Sequence, residues 1–139
     1  MKRLLALGVA LVLAAPAAAV AQGGPPPGAI VLSFNKCDLA RVGDIIQMTD
    51  SAIVPIAQEM VNEGKLFNYG LMTHDWGDEW NVVYYYVVED HRAFLNFWDD
   101  FVSRIVQRHP TLFGEFLARC SEHKDNIYGH SAFTGPPGQ

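Results

Sequence analysis

The 139-residue sequence has only two cysteines, and it lacks the short motifs that mark several enzyme classes. It contains no Cys-x-x-Cys pair for thioredoxin-like redox chemistry, no c-type haem-attachment motif and no HExxH zinc site. Gly23-Gly24 is followed by prolines rather than by a phosphate-binding loop. Gly129-His130-Ser131 lacks the last glycine of the GxSxG turn of α/β-hydrolases. These absences argue against thioredoxin-like, nucleotide-phosphate and serine-hydrolase functions.

Basic residues are also scarce. Ten Lys and Arg stand against 15 Asp and Glu, which gives a formal net charge of −5. No basic stripe offsets the repulsion between such an acidic surface and a phosphate backbone. The composition therefore argues against a nucleic-acid partner.

The amino-terminal segment has the pattern of a secretory signal peptide. Lys2 and Arg3 precede an uncharged apolar run from Leu4 to Val20, and the Ala-rich end of that run favours cleavage before Gln22. An uncleaved membrane anchor is the alternative, but the run is slightly short for a span of about 20 residues. We therefore expect residues 1–21 to be removed. The mature protein would then be secreted or periplasmic, without stable membrane insertion.

The rest of the chain divides into a tether, one domain and a tail. Residues 22–28 are rich in Gly and Pro and cannot pack a core. Residues 29–134 have the length of a single domain that can bury a core. Residues 135–139 resemble the tether in composition and are expected to be a flexible tail.

Hydrophobic periodicity divides the domain into strands and helices. Pro55 falls inside the first helical stripe and is expected to kink or break it, whereas Gly64 suits the position just past its end. The order β-α-β-β-α-(α)-β is that of a ferredoxin-like α+β fold, a four-stranded antiparallel sheet with helices on one face. The predicted strands lie at 30–34, 66–73, 80–88 and 126–133, and the predicted helices begin after Asp38, Asp90 and Thr111.

The strand at 80–88 is largely apolar on both of its faces. Val82 and Tyr84 belong to one face, and Val83 and Tyr85 belong to the other. A half-solvated antiparallel sheet should alternate apolar and polar residues, so the second face of this sheet is predicted to be covered too. A single small domain has no further element for that purpose, and a second copy would supply one. The alternation does not decide which set faces the partner.

The layout and one segment of the chain resemble a known superfamily. The segment runs from Pro55 to Leu71 and contains the end of a helix, the Gly64-Lys65 junction and the start of a strand. Over residues 29–133 the chain resembles the dimeric α+β-barrel superfamily, in which two ferredoxin-like domains pack sheet to sheet as a homodimer. That superfamily includes antibiotic-biosynthesis-monooxygenase-type domains, haem-degrading monooxygenases and exported members of unknown function, which the chain resembles most.

The resemblance implies a fold and a dimer but carries no catalytic motif. Domains of this kind often hold a ligand between sheet and helices, although aromatic stripes at helical spacing also occur as plain core. The expected function is the binding of a small, mostly apolar molecule. The alternative that the resemblance implies is a cofactor-independent or haem-handling monooxygenase-like enzyme. The candidate ligand-binding residues are Tyr69, Tyr84, Tyr86 and Trp98.

The two cysteines of an exported chain are expected to pair. Cys37 follows the first predicted strand, and Cys120 lies just before the last strand, which runs antiparallel beside the first. Both sulfur atoms should therefore lie at one end of the sheet. Two free thiols or a shared metal ion are the alternatives to the predicted disulfide.

His74 and His123 are the candidate metal ligands. Both are predicted at the same end of the sheet, near acidic loop residues that include Asp75 and Asp78. Imidazole and carboxylate groups bind Zn or non-haem Fe, but polar loop residues also form the ordinary solvated rim of any sheet. The sequence alone assigns no cofactor.

Overall fold

A computed structural model describes residues 28–74, 76 and 79–129 of the chain. The expected signal peptide, the tail and Asp75, Asp78 and His130 lie outside these residues. The strands are β1 (Ala29–Cys37), β2 (Asn68–Thr73), β3 (Val82–Val88) and β4 (Cys120–Gly129). The helices are α1 (Val42–Met48), a π-helical turn (Thr49–Ile53), α2 (Val54–Asn62), α3 (His91–Arg108) and α4 (Leu112–Leu117).

The strands form one four-stranded antiparallel sheet in the order β2-β3-β1-β4, with the helices packed on one face. This is the ferredoxin-like α+β fold that the element order predicts. The last strand, however, was predicted to start at Asn126 and begins six residues earlier, at Cys120. The residues from Ser121 to Asp125 are all polar, a composition typical of a loop, but pairing with β1 supplies their backbone hydrogen bonds.

Pro55 does not end the first helical region. The chain stays helical from Val42 to Asn62, and a π-helical turn at Thr49–Ile53 comes directly before α2. Pro55 occupies the first turn of α2, where a residue without an N–H donor is tolerated. The region ends as predicted at Gly64, whose φ of 73° lies in the left-handed region that favours glycine.

The structure decides which face of β3 is the core. Val82, Tyr84, Tyr86 and Val88 are buried beneath the helices, where the Tyr86 ring packs against rings of α3. The intervening side chains, Val83, Tyr85 and Val87, are half-buried on the opposite face, which we call the open face. Apolar neighbours on β1 and β2 extend this face: Ile30, Leu32, Phe34 and Met72.

On the open face the Tyr85 ring lies across Gly70, its register partner on β2, and leaves no room there for a side chain. Gly70 therefore lets a large aromatic ring lie flat on the sheet. The result is an apolar surface over the middle of β1, β2 and β3, bordered by Lys36 and, on β4, by Glu122 and Lys124.

Ion pairs join α2 to α3 on the outer surface of the helical layer. The Arg104 guanidinium donates to both carboxylate oxygens of Glu63, at 2.7 and 2.8 Å, and also to Asp100. Lys65 contacts Glu63 at 2.7 Å. Hydrogen bonds from Arg104 and then Lys65 lower the pKa of Glu63 from its ordinary 4.5 to about 2.

Candidate functional site: an apolar cavity between sheet and helices

A cavity of about 440 Å³ lies between the helical layer and the β1, β3 and β4 side of the sheet. This volume falls within the range of small-molecule sites. Its polar groups come from the strands, and its apolar wall comes mainly from α3 and α4. The strand residues include Ser33, Asn35, Tyr84, Tyr86, His123 and Asp125, and the helical wall includes Trp98, Phe101, Ile105, Leu112 and Phe116.

Tyr86 is a deeply buried polar residue of this cavity. The residue is 4% exposed, and its ring packs against Phe97, Trp98 and Phe101. Its hydroxyl group has no hydrogen-bond partner among the described residues. Among those residues, every side-chain nitrogen or oxygen that is fully shielded from solvent has a partner, so the Tyr86 hydroxyl retains some access to solvent. Burial, followed by the nearby Tyr84 and Asp125, raises the pKa of Tyr86, so the hydroxyl stays protonated and can donate.

Tyr84 is held by the π-helical turn. Its hydroxyl oxygen lies 2.7 Å from the Thr49 hydroxyl, and Thr49 in turn donates to the Ile45 carbonyl at 2.8 Å. Because the Thr49 proton is used in that bond, Tyr84 is the donor of the pair. Burial raises the pKa of Tyr84 as well. The turn therefore fixes the position of Tyr84 and leaves Tyr86 as the unpaired tyrosine.

Ser33 and Asn35 bring two further uncharged groups to the cavity from β1. Both are buried, and Asn35 donates its amide hydrogens to the Ser33 carbonyl at 3.0 Å and the Val82 carbonyl at 3.4 Å. No described residue donates to the Asn35 side-chain oxygen, which leaves it as an acceptor toward the cavity. The sequence analysis missed both residues. Their signal was two polar side chains on the same face of β1 as the buried Val31.

The edge strand β4 brings three ionisable side chains to the lining: Glu122, His123 and Asp125. His123 Nε2 lies 3.4 Å from Asp125 Oδ2, and both side chains are largely exposed. They occupy alternate positions of one strand, on the face that bears the helices. The pair therefore lies at the solvent-exposed mouth of the cavity rather than at its floor.

A second cavity, of about 260 Å³, lies between the π-helical turn and β2. It shares three lining residues with the larger cavity: Ile53, Tyr84 and Tyr86. The predicted ligand residues thus divide between the two spaces. Tyr84, Tyr86 and Trp98 line the larger one, whereas Tyr69 lines the smaller one and bonds to the Val54 carbonyl at 3.3 Å.

The structure does not bring the two predicted metal ligands together. His74 follows β2 and His123 lies on β4, and these are the two edge strands of the sheet. Three strand spacings of about 4.8 Å separate them, roughly 14 Å in all. Within the described residues, no three His, Cys, Asp or Glu side chains form a group that could hold a metal ion. The two histidines lie at the same end of the sheet but on its opposite edges.

The residues present do not form an axial site for haem. His123 is the histidine that lines the larger cavity among the described residues, and its side chain is 63% exposed. It also contacts Asp125 at the open side instead of pointing into an enclosed apolar space. A haem-handling role therefore has no support in this lining.

Cys37 and Cys120 have their sulfur atoms 2.08 Å apart, at disulfide distance, as the sequence predicts. The two residues are register partners of β1 and β4. Asn81 fixes the same end of β1, because its amide accepts from the Cys37 N–H and donates to the Cys37 carbonyl, both at 2.8 Å. Cys120 also borders the larger cavity, so the cysteine pair holds one side of it.

Solved structures establish the fold more firmly than sequence comparison does. No family model and no curated protein matches the chain. An uncharacterised NIPSNAP domain protein from Burkholderia xenovorans superposes with a TM-score of 0.60 at 11% identity, over 78% of this chain and 99% of that one. A NIPSNAP family protein from Agrobacterium tumefaciens gives 0.58 at 12% identity, over 78% and 91%.

A dimeric ferredoxin-like protein from an uncultured marine organism is similar as well. Its TM-score is 0.63 at 6% identity, over 80% of this chain and 94% of that one. At these identities the likeness establishes the ferredoxin-like fold, and no activity transfers with it. Within residues 28–74, 76 and 79–129, no helix combines the length and apolar character needed to cross a membrane.

Proposed function

We propose that this protein binds a small, uncharged and mostly apolar molecule in the larger cavity, with a polar group of the ligand hydrogen-bonded to Tyr86. The observation that carries the proposal is the buried Tyr86 hydroxyl, which has no partner among the described residues and borders an apolar space. A hydrogen bond from this hydroxyl to a ligand would contribute about 0.5–1.5 kcal/mol, because it replaces a bond to solvent.

The charges of the lining support an uncharged ligand. Asp125 lies at the open side, and no Lys or Arg is among the described residues that line the cavity. A carboxylate or phosphate would meet a like charge there without a compensating cation. The aromatic wall supplies apolar contact area, and Ser33 and Asn35 supply further neutral hydrogen-bonding groups.

Heptan-2-one is a suitable probe, because it combines one carbonyl acceptor with an alkyl chain. We expect saturable binding by calorimetry and an affinity about tenfold lower in Tyr86→Phe, which removes the donor. Tyr85→Phe is the matched control, since the adjacent tyrosine points to the open face. An absence of saturable binding, or an equal loss in both variants, would contradict the proposal.

The open face supports a homodimer of the sheet-to-sheet kind found in the dimeric α+β-barrel superfamily. We propose that a second copy covers Val83, Tyr85 and Val87 and their neighbours on β1 and β2. Soluble monomers seldom expose a continuous apolar patch of this extent. The substitutions that test this proposal open the Discussion.

We also propose that the protein acts outside the cytoplasm. The supporting observations are the signal-peptide pattern of residues 1–21 and a cysteine pair at disulfide distance, which is typical of oxidising compartments. Mass spectrometry of exported protein should give a chain that begins at Gln22. Exported protein that retains Met1 would refute cleavage.

A monooxygenase-like enzyme that needs no cofactor is the second candidate. The observation that favours it is the His123–Asp125 pair beside the cavity, since imidazole can remove a proton from a bound ligand. Deuterium exchange at the carbons next to the heptan-2-one carbonyl, followed by NMR in D₂O, tests this step. Exchange no faster than in His123→Ala would remove the candidate and leave the binding proposal intact.

A further inference from the structure

We infer that the ligand has a central polar group with an apolar arm on each side, and that one arm occupies each of the two cavities. This inference rests on the proposed function, because both require the ligand to accept a hydrogen bond from Tyr86. It adds the class of molecule: an uncharged carbonyl compound, such as a dialkyl ketone or an ester, in place of an apolar molecule with its polar group at one end.

The arrangement of the two cavities is the first support. They lie on either side of the same three residues, Ile53, Tyr84 and Tyr86. Tyr86, whose hydroxyl is unpaired among the described residues, therefore belongs to the wall that they share. A polar group bound to it sits between two apolar spaces rather than at the end of one.

The sizes and charges of the cavities are the second support. The larger has about 440 Å³ and the smaller about 260 Å³, so the two arms would differ in length. The larger is lined by two carboxylates, Glu122 and Asp125, and the smaller by one, Asp50, and no described Lys or Arg lines either of them. Both arms should therefore be apolar and end without a negative charge.

Hydrogen-bond donation selects the central group. The Tyr84 proton is committed to Thr49, whereas the Tyr86 proton is free to be donated. A carbonyl oxygen is a strong acceptor for such a bond and adds no donor that would itself need a partner.

The test lengthens only one arm of the probe. Heptan-2-one, octan-3-one and nonan-4-one share a pentyl arm and carry a methyl, ethyl or propyl group on the other side of the carbonyl. Calorimetry on the full mature protein should show affinity rising about fourfold with each added CH₂, the gain expected for burying it.

Two variants locate the second arm. Leu71→Phe and Ile46→Phe each fill the smaller cavity, from β2 and from α1 respectively, without touching the larger one. Both should abolish the rise across the series while leaving heptan-2-one binding nearly unchanged. Val102→Phe is the matched control in the larger cavity. It should weaken all three ketones together and preserve the rise.

The possible outcomes separate the inference from the function on which it rests. Equal affinities for the three ketones in the unmodified protein would overturn the inference and leave the proposed function standing. A rise that persists in both Leu71→Phe and Ile46→Phe would overturn it as well, because the second arm would then lie elsewhere. If none of the ketones binds, the proposed function itself fails.

Discussion

The two faces of β3 predict opposite effects for the same substitution. Val83 is half-buried on the open face, whereas Val88 is completely buried beneath the helices. Val83→Asp should leave the fold intact and prevent association. Val88→Asp should unfold the protein, because it places an unpaired carboxylate in the core.

The free energy of dimerisation can be estimated from the apolar surface that the open face still exposes. On β1, β2 and β3 it carries seven apolar side chains: Ile30, Leu32, Phe34, Met72, Val83, Tyr85 and Val87. Ile30 is 39% exposed and Met72 is 44% exposed, and the other five are half-buried. Covering the remaining third or so of each side chain gains about 0.5–1 kcal/mol per residue, or roughly 7–14 kcal/mol for two subunits.

Association itself costs about 4–15 kcal/mol, which is of the same size as the gain, so one unfavourable buried group is enough to prevent dimerisation. An aspartate buried in the centre of the interface should therefore weaken dimerisation by at least about 100-fold, or roughly 3 kcal/mol. Light scattering after size exclusion measures the mass of each variant, and circular dichroism reports whether it is folded. The proposed interface would be refuted if the unmodified protein stays monomeric when loaded at about 100 µM, or if the Val83→Asp variant still dimerises.

Three further predictions concern stability. Cys120→Ser should lower the free energy of unfolding by about 2–5 kcal/mol, seen as a lower melting temperature, whereas quantitative alkylation of both cysteines in unreduced protein would show that no bond exists to lose. The pKa of Glu63 is about 2 in the fold and 4.5 in its ordinary state. Its contribution to the free energy of unfolding is therefore complete above about pH 5 and is lost as the pH falls toward 2. Melting temperatures measured across that range should fall less steeply in Glu63→Gln and in high salt, and identical slopes would contradict the assignment. Gly64→Ala should destabilise the protein by about 1 kcal/mol in urea titrations, since alanine is strained at a φ of 73°, and a neutral or stabilising effect would argue against that backbone conformation.

Most of the fold follows from periodicity, and its exceptions have local causes. Alternating and helical patterns predicted the order of elements and the helix end at Gly64. They did not predict the start of β4, because the polar run from Ser121 to Asp125 forms a strand only through its pairing with β1. Nor could they orient β3, since both of its faces are apolar and only the position of the helices distinguishes them.

The candidate site was predictable in its aromatic part and not in its polar part. Tyr84, Tyr86 and Trp98 follow from strand alternation and helical spacing, and they line one cavity. Tyr84 is hydrogen-bonded because the Thr49 hydroxyl lies beside it, whereas Tyr86 has no such neighbour among the described residues. Thr49 belongs to a π-helical turn that no sequence pattern indicated. The separation of His74 from His123 likewise depends on strand order across the sheet, which spacing along the chain does not contain.

The charged outer strand β4 also bears on how the molecule behaves when crowded. One edge of β4 pairs with β1, and the other edge is free within the described part of the sheet, where an unpaired strand can recruit strands from other molecules. Glu122, His123, Lys124 and Asp125 follow one another along it. If the β4 edges of two molecules paired in parallel and in register, each charged side chain would lie beside an identical charge or would have to lose its hydration. The polar run from Ser121 to Asp125 therefore disfavours pairing of this edge with strands of other molecules.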